Sequence, residues 1–140
     1  MTTLTPSSPS SGGPRLVILV VDDSPALRLC VVQMLGKIFE APTVLEAGDG
    51  EQALALLRRQ GPGPGLVITD LGMPTMDGLQ LLGVLRRTPG WAQLPVLLIS
   101  GDGFDPAAPP GREDPFFRTL DKPFGLPELR AKLAELLPPP

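Results

Sequence analysis

Five polar residues could do chemistry together in this 140-residue chain: the acidic pair Asp22-Asp23, then Asp70, Ser100 and Lys122. Three carboxylates brought within a few ångströms repel one another and need a cation to stay ionised. The chain has no histidine and a single cysteine, Cys30, so neither imidazole metal sites nor imidazole acid–base catalysis is available. An oxygen-only donor set selects a hard ion, Mg²⁺ first. A carboxylate beside such an ion, faced by an ammonium, is equipped to attack a phosphoryl group. Lys122 and the ion would neutralise the phosphoryl oxygens, Ser100 would donate a hydrogen bond, and the product would be an aspartyl phosphate. Each residue alone has a bland explanation. Asp23 could cap a helix, Asp70 could be a turn acid before Gly72, Ser100 could cap a turn, and Lys122 could be a solvated surface lysine. Met73 and Met76 read as loop and core packing.

The elements that must carry these residues make the joint reading the better one. Arg15 to Asp23 is a continuous aliphatic run closed by two acids, as suits a strand buried on both faces of a parallel sheet. Ser24-Pro25 is a helix start, and Leu27, Val31, Leu35 and Ile38 keep helical spacing to about Phe39. Further strands are expected at Thr43–Ala47, Leu66–Asp70, Leu94–Ser100 and Phe116–Asp121. Helices are expected at Glu51–Gln60 (opened by Gly50, with Ala53, Leu54, Leu56 and Leu57 inward), Thr75–Thr88 and Leu126–Leu137. Cys30, among aliphatic neighbours, reads as a small core side chain. Strands alternating with helices predict an α/β fold, a doubly wound five-stranded parallel sheet with helices on both faces. In such sheets ligands bind beyond the carboxyl ends of the strands, which is where the five polar residues fall.

Glycine and proline, 16 and 19 residues, reach a quarter of the chain but concentrate in 1–14, 61–65, 101–115 and 138–140. Residues 1–14 read as a disordered tail, 15–137 as one domain, and 138–140 as a proline tail. Segment 101–115 holds four prolines and three glycines where a fourth crossover helix is due; the reading there is a loop with at most one helical turn. The balance of 12 basic and 15 acidic residues, with no basic cluster beyond Arg58-Arg59 and Arg86-Arg87, argues against nucleic acid. Met1 to Pro14 is not a secretion signal, and the longest apolar run, Leu16 to Val21, cannot span a bilayer. The expectation is a cytoplasmic protein with no membrane partner.

The blocks Asp22-Asp23, Asp70-Leu71-Gly72-Met73-Pro74, Met76-Asp77-Gly78, Ser100-Gly101 and Lys122-Pro123-Phe124 together resemble the response-regulator receiver domains of two-component and chemotaxis signalling, over about residues 15–137. The resemblance implies a flavodoxin-like strand order, 2-1-3-4-5, and Asp70 as the phosphoacceptor. It implies that Asp23, Asp70 and the Gly72 carbonyl ligate Mg²⁺, with Asp22 acting mostly through water, and that Lys122-Pro123 is a cis peptide. Lys122 would pair with the phosphoryl group, and Ser100 would move to bond it.

Two departures bear on signalling. The family commonly has Tyr or Phe three residues before the lysine, where this chain has Thr119; with Ser100 this is the switch position, so the usual coupling should be weak or different. The Pro/Gly-rich 101–115 replaces a helix through which many relatives dimerise or meet partners. Gly72, without a side chain beside Asp70, should leave the phosphoryl group open to water. The favoured reading is a stand-alone receiver, monomeric or weakly dimeric, not an enzyme in the ordinary sense. Lacking histidine, it takes its phosphoryl group from a sensor histidine kinase, a phosphotransfer protein or a small acyl phosphate, and acts on a downstream protein. A pseudo-receiver, binding partners without phosphorylation, is the alternative. An aspartate-nucleophile phosphatase like the haloacid dehalogenase group is remote, because Ser24 stands where a second acid would be needed.

Overall fold

The computed structural model describes residues 16–60, 63–101 and 114–137. The expected tails at 1–14 and 138–140, and most of the 101–115 connection, lie outside the described residues. Five strands, β1 (Val17–Val21), β2 (Thr43–Ala47), β3 (Leu66–Asp70), β4 (Val96–Ser100) and β5 (Phe117–Asp121), alternate with four described helices. These are α1 (Pro25–Ile38), α2 (Gly50–Gln60), α3 (Gly78–Arg86) and α4 (Leu126–Leu136). The strands form one sheet in the order β2-β1-β3-β4-β5, with every pairing parallel. The doubly wound α/β reading is therefore correct.

A parallel strand covered on both faces can be apolar throughout, and all residues of β3 and β4 are buried. Their side chains split between two cores. Leu19, Val67 and Leu98 pack under Leu54, Leu57, Leu81 and Leu85 of α2 and α3. On the opposite face Ile18, Ile68 and Leu97 meet Val31, Leu35, Leu129 and Leu133 of α1 and α4. Each fully buried leucine or isoleucine contributes about 1.5–3 kcal/mol, which makes the sheet a stiff base for the residues at its edge. No helix among the described residues is long and apolar enough to cross a membrane.

Several boundaries differ from the sequence reading. The third helix begins at Gly78 instead of Thr75, because the Asp77 carboxylate accepts from the Gln80 N–H (2.8 Å) while Gln80 Oε1 accepts from the Asp77 N–H (2.9 Å). This capping box fixes the start, and Thr75 has a left-handed φ of 61°. The helix stops at Arg86, ahead of Pro89, whose ring disfavours helical backbone at Thr88. β4 starts at Val96 because Pro95 has no N–H to donate. β5 and α4 are each one residue shorter than expected. Cys30 and Leu27 are exposed, not core. Both stand in the first two turns of α1. With Met34, Ile99 and Phe124 they line an apolar cavity of about 280 Å³ that reaches Asp22 and Lys122.

Candidate functional site

The carboxyl ends of β1, β3, β4 and β5 deliver the site. Backbone bonds continue the ladders past the strands: Asp22 N–H donates to Ala47 O (3.0 Å), Leu71 N–H to Ile99 O (2.9 Å) and Lys122 N–H to Ser100 O (2.8 Å). The polar side chains therefore inherit the rigidity of the sheet instead of riding on free loops.

One ligand oxygen from each of Asp22, Asp23 and Asp70 can be chosen so that all lie within 4.8 Å of one another. Asp22 and Asp70 are buried, whereas Asp23 is exposed. The Lys122 ammonium lies 2.7 Å from Asp70 Oδ1. Burial pushes the Asp22 carboxyl above its ordinary range; the nearby charges of Asp70 and Asp23 add to this, and the Ser24 N–H and Lys122 oppose it. Asp22 is nonetheless held firmly, since its Oδ1 accepts from Ser24 N–H at 2.9 Å and its carbonyl accepts from Arg28 Nη1 at 2.6 Å. Ser24 in turn caps α1 through Leu27 N–H (3.3 Å).

Ser100 is almost fully buried, and among the described residues its Oγ is a buried side-chain atom with no hydrogen-bond partner. Such a group costs about 1–3 kcal/mol of desolvation, so the free protein holds an unused donor at the end of β4. Gly72 is exposed, and a Cβ built on it would meet nothing. Thr119 is half-buried on β5 opposite Leu98. The Lys122-Pro123 peptide is cis, as expected.

The donor set fits a hard divalent cation. It is made of oxygen alone, crowded with negative charge, open through Asp23 and faced by one ammonium. The structure brings together Asp22, Asp23, Asp70 and Lys122. Two further residues touch the site: Arg28, which the sequence reading did not single out, and Gly78, which it quoted only within the block Met76-Asp77-Gly78. Arg28 grips the Asp22 carbonyl, and Gly78 packs so closely on Asp70 that a Cβ would overlap the Asp70 carbonyl oxygen. A signal for Gly78 was present in its place behind the Asp77 cap. Arg28, one helical turn past the Ser24 cap, had only its spacing.

The profile of the response regulator receiver domain family matches residues 18–134. The chain belongs to this family. As a receiver it is 34% identical over 120 residues to the sensor kinase CckA of Brucella abortus, a match covering 86% of this chain and 12% of that protein. It is 42% identical over 89 residues to the probable transcriptional regulatory protein TcrX of Mycobacterium tuberculosis, covering 63% of this chain and 35% of that one. Among solved structures it is similar to the chemotaxis protein CheY4 of Vibrio cholerae. There the TM-score is 0.76 at 26% identity, covering 89% of this receiver and 100% of that chain. The receiver thus spans well under two thirds of the length of the curated relatives it matches. Receiver domains of two-component systems are signalling domains phosphorylated by histidine kinases, and they hold Mg²⁺ on acidic residues.

Proposed function

We propose that this receiver accepts a phosphoryl group on Asp70 from the phosphohistidine of a sensor kinase or phosphotransfer protein, or from a small acyl phosphate. The observation that carries the reading is the meeting of Asp70 with Lys122 at 2.7 Å, inside a cluster of three carboxylates. In the step itself a carboxylate oxygen of Asp70 attacks phosphorus. The bond from phosphorus to the donor nitrogen or oxygen breaks, and the leaving group keeps the electron pair. Lys122 shifts part of its charge from the Asp70 carboxylate to the incoming phosphoryl oxygens. Ser100 turns its unpaired hydroxyl towards one of them, so a donor that is costly in the free protein becomes satisfied in the phosphorylated one.

Asp22, Asp23 and Asp70, with the Gly72 carbonyl, would hold Mg²⁺. Bound there, the ion supplies neutralisation of the carboxylates and of the phosphoryl oxygens. The open surroundings of Gly72 favour entry of water and a short-lived aspartyl phosphate.

Thr119 favours a second reading, a pseudo-receiver, because a threonine cannot swing an aromatic ring inward when Ser100 moves. One experiment separates the two. The protein is mixed with Mg²⁺ and a small acyl phosphate, and its intact mass is followed. The proposal expects a single phosphoryl adduct that is absent in Asp70→Asn. No adduct would leave the pseudo-receiver, and steady turnover of generic phosphate esters would indicate a phosphatase.

A further inference from the structure

Arg28 contacts the site from outside the set of reacting groups. Its Nη1 donates to the Asp22 carbonyl at 2.6 Å and its Nε to Glu46 Oε1 at 2.9 Å. The carbonyl it grips belongs to the Asp22-Asp23 peptide unit, so it fixes the plane from which the exposed Asp23 side chain departs. The rest of Asp22 is fixed already, through Ala47 O on one side and Ser24 N–H on the other. Asp23 has no such partner among the bonds described. Among the described residues its carboxylate is placed by the backbone that carries it.

We infer that Arg28 is a positioning residue for the divalent-cation centre: its planar fork, anchored on Glu46 of β2, sets the Asp22-Asp23 peptide so that Asp23 stands within reach of Asp22 and Asp70. The inference rests on reading the acid cluster as a cation site. A guanidinium suits the task because two of its N–H groups are held in fixed relative geometry. Lysine, a single point of charge on a flexible stem, cannot bridge a carbonyl and a carboxylate in the same rigid way.

The sign of the effect distinguishes positioning from charge. A cation near the cluster opposes Mg²⁺, so if Arg28 acted only through its charge, its removal would tighten Mg²⁺ binding. Positioning requires the opposite. Supports one step removed from the metal are typically worth 10–100-fold in affinity, and the lower end, about tenfold, is expected for one acting through a carbonyl.

The test is isothermal titration of Mg²⁺ into the wild-type protein, Arg28→Ala and Arg28→Lys, with thermal unfolding of each in chelator. Arg28→Ala should bind about tenfold more weakly, and Arg28→Lys, which keeps the charge, should remain several-fold weaker than wild type. Unchanged or tighter binding in Arg28→Ala overturns the inference, as does full wild-type affinity in Arg28→Lys. A lowered melting temperature with an unaltered dissociation constant would reduce Arg28 to a structural tie between α1 and β2, which also overturns it. If Arg28→Ala does not fold, the lysine variant decides alone. If the wild-type protein takes up no Mg²⁺, the cation reading of the cluster fails, and the role of Arg28 falls with it.

Discussion

Lys122 Nζ and Asp70 Oδ1 stand 2.7 Å apart, a half-exposed ammonium against a buried carboxylate. The pair is set by two strands on either side of β4, β3 carrying the acid and β5 ending one residue before the base. Because Lys122 reaches across β4, its position depends on the Ser100 carbonyl, to which its own N–H is bonded. Replacing the ammonium removes the cation that pairs with the Asp70 carboxylate. Lys122→Ala should lower the rate of phosphorylation by a small acyl phosphate about 10²–10³-fold, the usual cost of losing one preorganised charge partner of a developing anion. Stopped-flow or mass-resolved time courses would check it, and a rate within threefold of wild type would contradict the assigned role.

Ser100 makes a separable prediction. Its hydroxyl is buried and has no partner among the described residues, so Ser100→Ala should stabilise the free form by about 1 kcal/mol while weakening the phosphorylated one. Denaturant unfolding with and without the phosphoryl adduct would show the two effects with opposite signs. A variant less stable in the free form would mean that the hydroxyl already has a partner.

Asp22 gives a pH prediction. Burial raises its carboxyl pKa in the folded state, helped by the charge of Asp70. The unfolded chain loses that proton first as pH rises, so ionising Asp22 costs the metal-free protein stability above its folded pKa. The cost disappears below the ordinary carboxylate range. In chelator, Asp22→Asn should therefore melt a few degrees higher than wild type at neutral pH, and the gain should vanish as pH falls towards about 4. The same variant should bind Mg²⁺ more weakly. Equal melting temperatures at neutral pH would refute the buried-charge account.

Gly78 should tolerate no side chain. A Cβ there would overlap the Asp70 carbonyl oxygen and come 2.6 Å from Leu98 Cδ1, in a fully packed part of the core. Gly78→Ala should cost about 1–3 kcal/mol and should also slow phosphorylation, because the main chain of Asp70 has to shift. Urea unfolding and the adduct assay would both register the change. Gly72→Ala, built into open space, is the control and should leave stability nearly unchanged.

Much of this site could be read in the chain itself, for a definite reason. Strands buried on both faces write themselves as unbroken aliphatic runs, so the acids, the serine and the lysine that terminate those runs stand out by contrast. The less readable features depend on what lies underneath or alongside. Leu27 keeps helical spacing with Val31 and Leu35, and Cys30 stands among aliphatic residues, yet neither pattern tells what covers the helix there, and both residues line the cavity. Thr75 looked helical until the Asp77–Gln80 box claimed the start of α3. Arg28 acts on a backbone carbonyl, which has no residue type of its own to betray the contact.

The surface position of Cys30 has a practical side. It is the chain's sole thiol, and it shares a cavity wall with Lys122. One maleimide dye or nitroxide attached there would therefore sit on the wall of the cavity that reaches Asp22 and Lys122, without competing labels. Occupancy of the acid cluster, and arrival of a donor protein, could then be followed optically or by electron spin resonance in a chain that has no tyrosine and whose one tryptophan is at Trp91.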